Sequence, residues 1–212
     1  MSAATAQSVS IAPEDAARAD LYTLLATLFF APPTQELFSA IAGSDDIAAH
    51  AAPDAPLAAP LAATWRRLQR ACELADERSV HDEFSDLFLG VGKAKVPLTA
   101  SWYRTGFMND APLVAVRADL TALGLSRLQS TNDAEDHVAA LTESMRLLIS
   151  GGSSDAPAPV AVQKRFFTRH IGPWYQSLAQ QIESTEGANF YAVVAALVKT
   201  FLDTESAQFE NY

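Results

Sequence analysis

The stretch PEDAARADLYTLLATLFFAPP, residues 13–33, decides the fold class of this chain. Its large apolar residues recur every three or four positions, which places them on one face of a helix. They are Leu21, Leu24, Leu25, Leu28 and Phe29. Pro13 and the two acids after it suit the first turn of a helix, whereas Pro32 and Pro33 stop its continuation. The stretch therefore predicts one amphipathic helix.

The same periodicity recurs along the rest of the chain. Further helices are predicted at 34–42, 61–72, 80–88, 113–123, 138–148, 173–182 and 190–201. Glycine is limited to 9 of 212 residues, and no long run is rich in valine, isoleucine and threonine, so local propensity favours helix over strand. We predict an all-α, compact multi-helix fold with about eight to ten helices and no strand.

The predicted organisation is one helical domain after a short tail. Residues 1–12 lack the periodic pattern and are predicted to be disordered, and residues 13–212 form the all-helical domain. Glycine, serine, aspartate and proline dominate 150–159, which is typical of a linker or hinge. A linker there makes an exchange of helices between subunits conceivable, so both a monomer and a homodimer stay open.

The net charge of the chain limits the kinds of molecule that it is expected to bind. The chain carries 25 acidic against 15 basic side chains, for a formal net charge of −10. Such a field repels phosphate backbones and anionic lipid, which argues against binding to nucleic acid or membranes. It attracts basic peptides or basic protein surfaces, although solubility alone also explains it.

Cysteine content and hydropathy predict a cytoplasmic protein. Cys72 is the only cysteine, so an intramolecular disulfide is excluded. Residues 1–11 have neither a basic start nor an apolar stretch, unlike a secretory signal. No span approaches the roughly 20 apolar residues that cross a bilayer.

The segment GVGKAK, residues 90–95, places glycines beside a lysine, as phosphate-binding loops do. With Gly92 and Lys93 as the Gly-Lys pair of that motif, the first glycine position holds Leu87 and the last position holds Ala94. The segment is better interpreted as a helix end followed by a loop.

A metal-dependent hydrolase is the alternative that residue types leave open. The candidate ligands are His81, Asp82, Glu83, Asp136, His137 and His170. No two histidines show the i, i+4 spacing of helical metal sites, so His81, Asp82, Asp136 and His137 would form a site only if folding brought them together. A serine hydrolase is less favoured, because the chain has no G-x-S-x-G segment.

Asp136 and His137 precede an apolar helical stripe. The residues 132–135 resemble a capping box with Asn132 as the cap, so we predict that both side chains lie in the first two turns of a helix. The helix dipole alone accounts for acids at that place. His137 is interpreted either as a partly buried hydrogen-bonding residue or as part of a binding site.

Large apolar side chains lie beside glycine-containing backbone in the middle of the chain. They are Phe84, Leu87 and Phe88, followed by Trp102, Tyr103 and Phe107. Most aromatic stripes at helical spacing belong to the core. With acids nearby, the arrangement also suits a groove for an apolar peptide with a basic end.

Four segments, in this order and separation, resemble the TorD/DmsD family of cytoplasmic chaperones for molybdenum-containing redox enzymes. The first two are ARADLYTLLATLFFAPP (17–33) and HDEFSDLFLGVG (81–92). The third is the proline-containing loop that ends in Ser-Trp-Tyr (101–103), followed by EDHVAALTESM (135–145). The fourth is FFTRHIGPWYQSLAQQI (166–182) with FYAVVAALVKTFLDTE (190–205).

The resemblance implies an all-α chaperone and not an enzyme. Such a protein binds the twin-arginine signal peptide and the apo-form of a molybdopterin-dependent oxidoreductase, and holds that client back from export until its cofactor is inserted. It has no catalytic residue, cofactor or metal of its own. The positions that match the family's peptide-binding motifs are Phe84, Leu87, Phe88, Ser101, Asp136 and His137.

Two departures from the family's pattern bear on the client. The family loop usually reads P-Y-x-S, whereas residues 97–101 read PLTAS, which displaces the proline and lacks the tyrosine. In the Asp-His helix, an acid that is common before the final Leu-Glu pair is also replaced, which leaves Leu141, Thr142 and Glu143. These differences are compatible with a formate dehydrogenase client or an S- or N-oxide reductase. A guanine-nucleotide-binding regulator is a further alternative, against which the failed phosphate-loop match argues.

Overall fold

The computed structural model describes residues 11–45, 58–90, 93–125, 134–152 and 156–212. Within these ranges the chain forms ten α-helices and one π-helix, and no strand. They are α1 (Pro13–Phe30), α2 (Gln35–Ala42), α3 (Ala58–Leu74), α4 (Glu77–Phe84), the π-helix (Ser85–Leu89), α5 (Ala100–Thr105), α6 (Ala111–Ala122), α7 (Val138–Ser150), α8 (Val160–His170), α9 (Tyr175–Ser184) and α10 (Phe190–Glu210). The prediction of an all-α fold is confirmed.

Parts of four predictions fall outside the described residues, among them Val91 and Gly92 of the segment GVGKAK. Of the tail predicted at 1–12, only Ile11 and Ala12 are described. Asn132, the predicted helix cap, and 153–155 of the predicted linker are not among the described residues. None of the helices in the described ranges has the length and apolarity needed to cross a bilayer.

Helix α1 begins with Pro13 in its first turn and ends before the prolines that follow Ala31. Its apolar face, with Tyr22, Leu25 and Leu28, is buried, and the helix packs mainly along α7. Burying such side chains stabilises a fold by about 1.5–3 kcal/mol each. The opening stripe of the sequence is thus one wall of the core.

Helix α10 lies against α3, α4 and α9. It spans 21 residues, and most of its apolar side chains are buried. The hydroxyl of Tyr191 donates to the carbonyl of Leu28, 2.9 Å away, which joins α10 to α1 across a large separation in sequence. Helix α10 therefore connects the first helix to the middle of the chain.

An aromatic cluster lies where α1, α4, the π-helix and α10 meet. The ring of Phe88 lies edge-on to Tyr191, with centroids 4.8 Å apart, and to Phe84, with centroids 5.2 Å apart. Phe29 from α1 completes the cluster. Edge-to-face pairs of this kind add about 0.5–1.5 kcal/mol each beyond simple burial.

The helix predicted through 80–88 is not α-helical throughout. Its last turn is the π-helix, in which the N–H of Gly90 donates to the carbonyl of Ser85, 2.9 Å away. The wider turn brings the adjacent Leu87 and Phe88 both into the core. Gly90 has φ of 56°, and a Cβ there would overlap the carbonyl of Lys93, so only glycine fits.

The prediction that Asp136 and His137 lie in the first two turns of α7 was wrong. The helix begins at Val138, and its cap is His137, whose Nδ1 accepts from the N–H of Ala139 at 3.2 Å. The backbone before it is extended because it pairs with 98–100: Ala100 N donates to the Asp136 carbonyl and Val138 N to the Leu98 carbonyl. This long-range pairing outweighs the local capping pattern. Pro173 also lies outside a helix, since α9 begins at Tyr175.

A buried ionic group joins α1 to α10. Glu205 is 1% exposed, and its two carboxylate oxygens accept from Nε and Nη2 of Arg18 at 2.7 and 2.8 Å. The hydroxyl of Tyr22 donates to the same carboxylate at 3.0 Å. Burial, together with the Glu205 charge, raises the pKa of Tyr22 well above its ordinary value, so the hydroxyl stays a donor.

Glu83 caps the start of α10 from another helix. Its carboxylate accepts from the backbone N–H groups of Asn189, Phe190 and Tyr191 at 2.8–3.1 Å. These donors have no partner within their own helix, and the helix dipole favours a negative charge at this end. The side chain therefore replaces a local capping residue.

Glu83→Ala is expected to lower the free energy of unfolding by about 1–2 kcal/mol, as the loss of a helix cap does. Glu83→Gln should lower it less, because the amide oxygen still accepts. Urea unfolding followed by circular dichroism measures both, with the neighbouring exposed Asp82→Ala as the control. Equal stability of Glu83→Ala and Asp82→Ala would contradict the capping role.

Candidate functional site

Asp136 holds the start of α5 in place. Its Oδ2 accepts from the backbone N–H of Ser101 at 2.8 Å and from the hydroxyl of the same residue at 2.5 Å. Both residues are 0% exposed. Because Ser101 lies in the first turn of α5, the carboxylate satisfies a helix end that has no local cap. We call this pair the Ser101–Asp136 lock.

The Ser101–Asp136 lock extends to α6. The hydroxyl of Ser101 accepts from the backbone N–H of Asp110, 3.2 Å away, and Asp110 itself caps α6 through its side chain. Oδ1 of Asp136 is buried and has no hydrogen-bond partner within the described part of the chain. A buried oxygen without a donor is costly to the folded state.

His137 lies beside the lock and is half-buried. Its Nδ1 accepts from the Ala139 N–H, which leaves the proton of the neutral ring on Nε2. The ring is therefore held in one orientation by the first turn of α7. Ser101, Asp136 and His137, which the sequence predicted as site residues, thus lie together around the pairing of 98–100 with 136–138.

The other predicted site residues form a separate group. Phe84, Leu87 and Phe88 are buried in the aromatic cluster, at 4%, 0% and 7% exposure. The two groups are connected through the chain, since the N–H of Val96 donates to the carbonyl of Leu87 at 2.9 Å. Direct contact of this group with a peptide stays a prediction; in the described structure the backbone carbonyl of Leu87 holds the segment that leads to α5.

An exposed apolar loop follows α5. Phe107 and Met108 in this loop are 71% and 52% exposed, and Val114 on the following helix α6 is 66% exposed. The hydroxyl of Thr99 lies 3.3 Å from the sulfur of Met108, so the loop is next to the Ser101–Asp136 lock. We call these three side chains the apolar loop surface. Sequence reasoning included Phe107 in a groove but missed Met108 and Val114, although an apolar pair directly after Gly106 is a signal for exposure.

Trp102 and Tyr103 lie on the helix α5, whereas the sequence pattern predicts a loop at these residues. The ring of Tyr103 stacks on Trp174, with centroids 5.2 Å apart, and the ammonium of Lys93 lies 4.7 Å from the centroid of Trp102. Both aromatic side chains therefore pack against neighbouring residues and hold α5 in place, and they do not line an open groove.

His170 has a structural role. It is 0% exposed, and its Nε2 lies 2.7 Å from Oδ2 of Asp119, which joins α8 to α6. Burial lowers the pKa of His170, and the hydrogen bond to Asp119 opposes this shift. The indole N–H of Trp174 donates to the carbonyl of His170 at 2.6 Å. The histidine is thus a link between helices.

The proposed metal ligands do not converge. In the part of the chain that the structure describes, no group of three or more His, Cys, Asp or Glu side chains could hold a metal ion. His81 and Asp82 are exposed on α4, whereas Asp136 is committed to Ser101. The structure therefore gives no support to the hydrolase alternative.

The fold and site define a helical protein with an anchored short helix and an exposed apolar loop surface. A family model described as nitrate reductase delta subunit matches residues 54–180, more than half of the chain. The chain belongs to this family, and its resemblance to the TorD/DmsD chaperones is confirmed.

Curated relatives agree with this assignment. Chaperone protein TorD from three strains of Vibrio cholerae serotype O1, namely O395, M66-2 and El Tor Inaba N16961, is 25% identical to this chain over 129 residues. The match covers 58% of this chain and 59% of each relative, so it spans about three fifths of their length. These relatives are named as chaperones and not as enzymes.

Proposed function

We propose that this protein is a client-specific chaperone. It binds the twin-arginine signal peptide and the apo-form of a molybdopterin-dependent oxidoreductase in the cytoplasm, and it holds that client back from export until the cofactor is inserted. Membership of the family supports the chaperone role. The client is of the S- or N-oxide reductase type or the formate dehydrogenase type.

The observation that carries this proposal is the apolar loop surface beside the Ser101–Asp136 lock. Phe107, Met108 and Val114 expose large apolar side chains to water, which has a cost unless another surface covers them. A signal peptide presents an apolar stretch after its arginines, and such a stretch covers this surface. The lock holds α5, and thereby the loop, in one position, which reduces the entropy lost on binding.

We expect a synthetic peptide with two adjacent arginines followed by an apolar stretch to bind the full chain in isothermal titration calorimetry. The double variant Phe107→Ser with Met108→Ser should raise Kd about tenfold or more, since two apolar contacts of this size contribute about 1–3 kcal/mol. Stability should stay within about 0.5 kcal/mol, as for other exposed positions. Leu89→Ser, which changes another exposed apolar side chain, is the matched control.

Absence of binding by the wild-type chain would overturn the proposed function. The physiological client is identified by affinity purification from the native cell followed by mass spectrometry. Recovery of a molybdoenzyme precursor that retains its signal peptide supports the proposal, whereas recovery of only mature, exported enzymes contradicts it.

A further inference from the structure

An open groove lies beside α4 and the π-helix. Its volume is about 550 Å³, and it lies between the end of α3, α4, the π-helix and the turn before α10. The floor is apolar: Ala71, Leu74, Ala75, Val80 and Phe190. Leu74 is 68% exposed, so most of its side chain is open to solvent. Carboxylates line the rim, and we call the whole feature the acidic groove.

The three carboxylates at the rim differ in the hydrogen bonds and ion pairs that they already form. Glu83 accepts three backbone N–H groups at the start of α10 and is committed to that helix. Asp82 is 77% exposed, and Nδ1 of the exposed His81 ring lies 3.9 Å from its carboxylate. Asp86 is 55% exposed and pairs with Lys95 at 2.6 Å. Asp82 and Asp86 are therefore available to a cationic ligand.

The pair of Asp86 with Lys95 is weak enough for a ligand to displace. Both side chains are about half exposed, and ion pairs of that kind contribute about 0.2–1 kcal/mol. A guanidinium binds a carboxylate through two parallel hydrogen bonds, which an ammonium cannot do. An arginine of a ligand thus competes well with Lys95.

Asp136 offers a poorer place for an arginine. Its side chain is fully buried, and one oxygen already holds Ser101. Nearby, Glu135 is paired with Arg117 at 2.9 Å, and α5 carries Arg104. A guanidinium that enters this region is repelled by the nearby arginines. It also cannot reach the carboxylate of Asp136, which has no accessible surface.

We propose that the acidic groove binds the two arginines of the signal peptide, with Asp82 and Asp86 as the carboxylates and Leu74 and Phe190 beneath the side-chain stems. This inference rests on the proposed function and separates the site for the arginines from that for the apolar stretch. Asp82 and Asp86 both line this groove, so two carboxylates are available to two neighbouring guanidinium groups.

One peptide reaches both places. Lys95 lies at the acidic groove through Asp86, and Thr99 lies at the apolar loop surface through Met108. Thr99 lies four positions after Lys95, so their Cα atoms are at most about 14 Å apart. An extended peptide segment of about five residues crosses the distance between these two Cα atoms, and a few further residues cover the reach of the Lys95 and Met108 side chains. Arginines in the groove and an apolar stretch at the loop are thus compatible with one continuous signal.

The test uses the full chain and the same twin-arginine peptide in isothermal titration calorimetry. Asp82→Asn with Asp86→Asn should raise Kd about tenfold or more and flatten its salt dependence, because two charge-assisted contacts are lost. Lys95→Ala should lower Kd about two- to fivefold, since Asp86 loses its competing cation. Glu14→Gln with Asp20→Asn removes the same charge from exposed positions of α1 and controls for the overall field.

The outcomes separate this inference from the proposed function. If Asp82→Asn with Asp86→Asn weakens binding of the peptide and the α1 control does not, the result supports the acidic groove as the arginine site. If the wild-type chain binds the peptide and the groove variant binds equally well, the groove assignment is overturned and the chaperone proposal stands. If the groove variant and the control lose the same affinity, the groove assignment is also overturned, because the effect then comes from the net charge of the chain. A wild-type chain that does not bind the peptide overturns both.

Discussion

Arg18→Met lowers the free energy of unfolding by about 3–5 kcal/mol, the range seen when one partner of a buried ion pair is removed. The cause is Glu205, whose carboxylate is 1% exposed and takes two hydrogen bonds from the guanidinium. Without Arg18 that charge remains in the core, and among the described residues only Tyr22 still donates to it. Urea unfolding monitored by circular dichroism gives the value.

Arg70→Met is the control for this prediction, since Arg70 and Glu73 form an exposed pair on α3. Its effect should stay within about 1 kcal/mol. Arg18→Met combined with Glu205→Met should recover part of the loss, because the uncompensated charge is gone. If Arg18→Met and Arg70→Met are equally stable, the ionic group between α1 and α10 does not hold these helices together.

Asp136→Ala weakens binding of the twin-arginine peptide about tenfold or more, whereas Asp136→Asn retains most of the affinity. Alanine leaves the N–H and hydroxyl of Ser101 without their acceptor, so α5 and the loop after it lose their fixed position. The amide oxygen of asparagine still accepts both bonds. Calorimetric titration measures Kd, and hydrogen exchange of 98–110 reports the order of α5.

Stability separates this effect from unfolding. Asp136→Ala is expected to cost about 1–3 kcal/mol, as for a lost buried acceptor, against typical stabilities of about 5–15 kcal/mol. Adding His137→Ala removes the acceptor of the Ala139 N–H, and the double variant should remain folded with weaker binding. If Asp136→Asn loses as much affinity as Asp136→Ala, the charge itself recognises the peptide, and the arginines belong at Asp136 rather than in the acidic groove.

The helices could be predicted from local patterns. The stripe of Leu21, Leu25 and Leu28 predicts α1, and the same stripe is buried against α7. Apolar periodicity is a property of each segment alone, so it needs no knowledge of the partner surface. The order of the motifs likewise indicated the family, which the family match confirms.

The placement of the site residues could not be predicted in the same way. Asp136 was interpreted as an acid in the first turns of a helix, but it is buried and caps α5 across 35 residues. Glu83 caps α10 across more than 100 residues. Neither partner can be identified from spacing, because the chain brings them together only when the helices pack.

The sequence by itself determined the all-α class, most helix positions, the acidic character and the family, because these depend on local periodicity, composition and motif order. The tertiary structure decided where α7 begins, that the last turn of the 80–88 helix is a π-helix, and which carboxylates are accessible. The physical reason is burial: Asp82 and Asp136 are the same residue type, yet packing leaves one 77% exposed and the other 0% exposed.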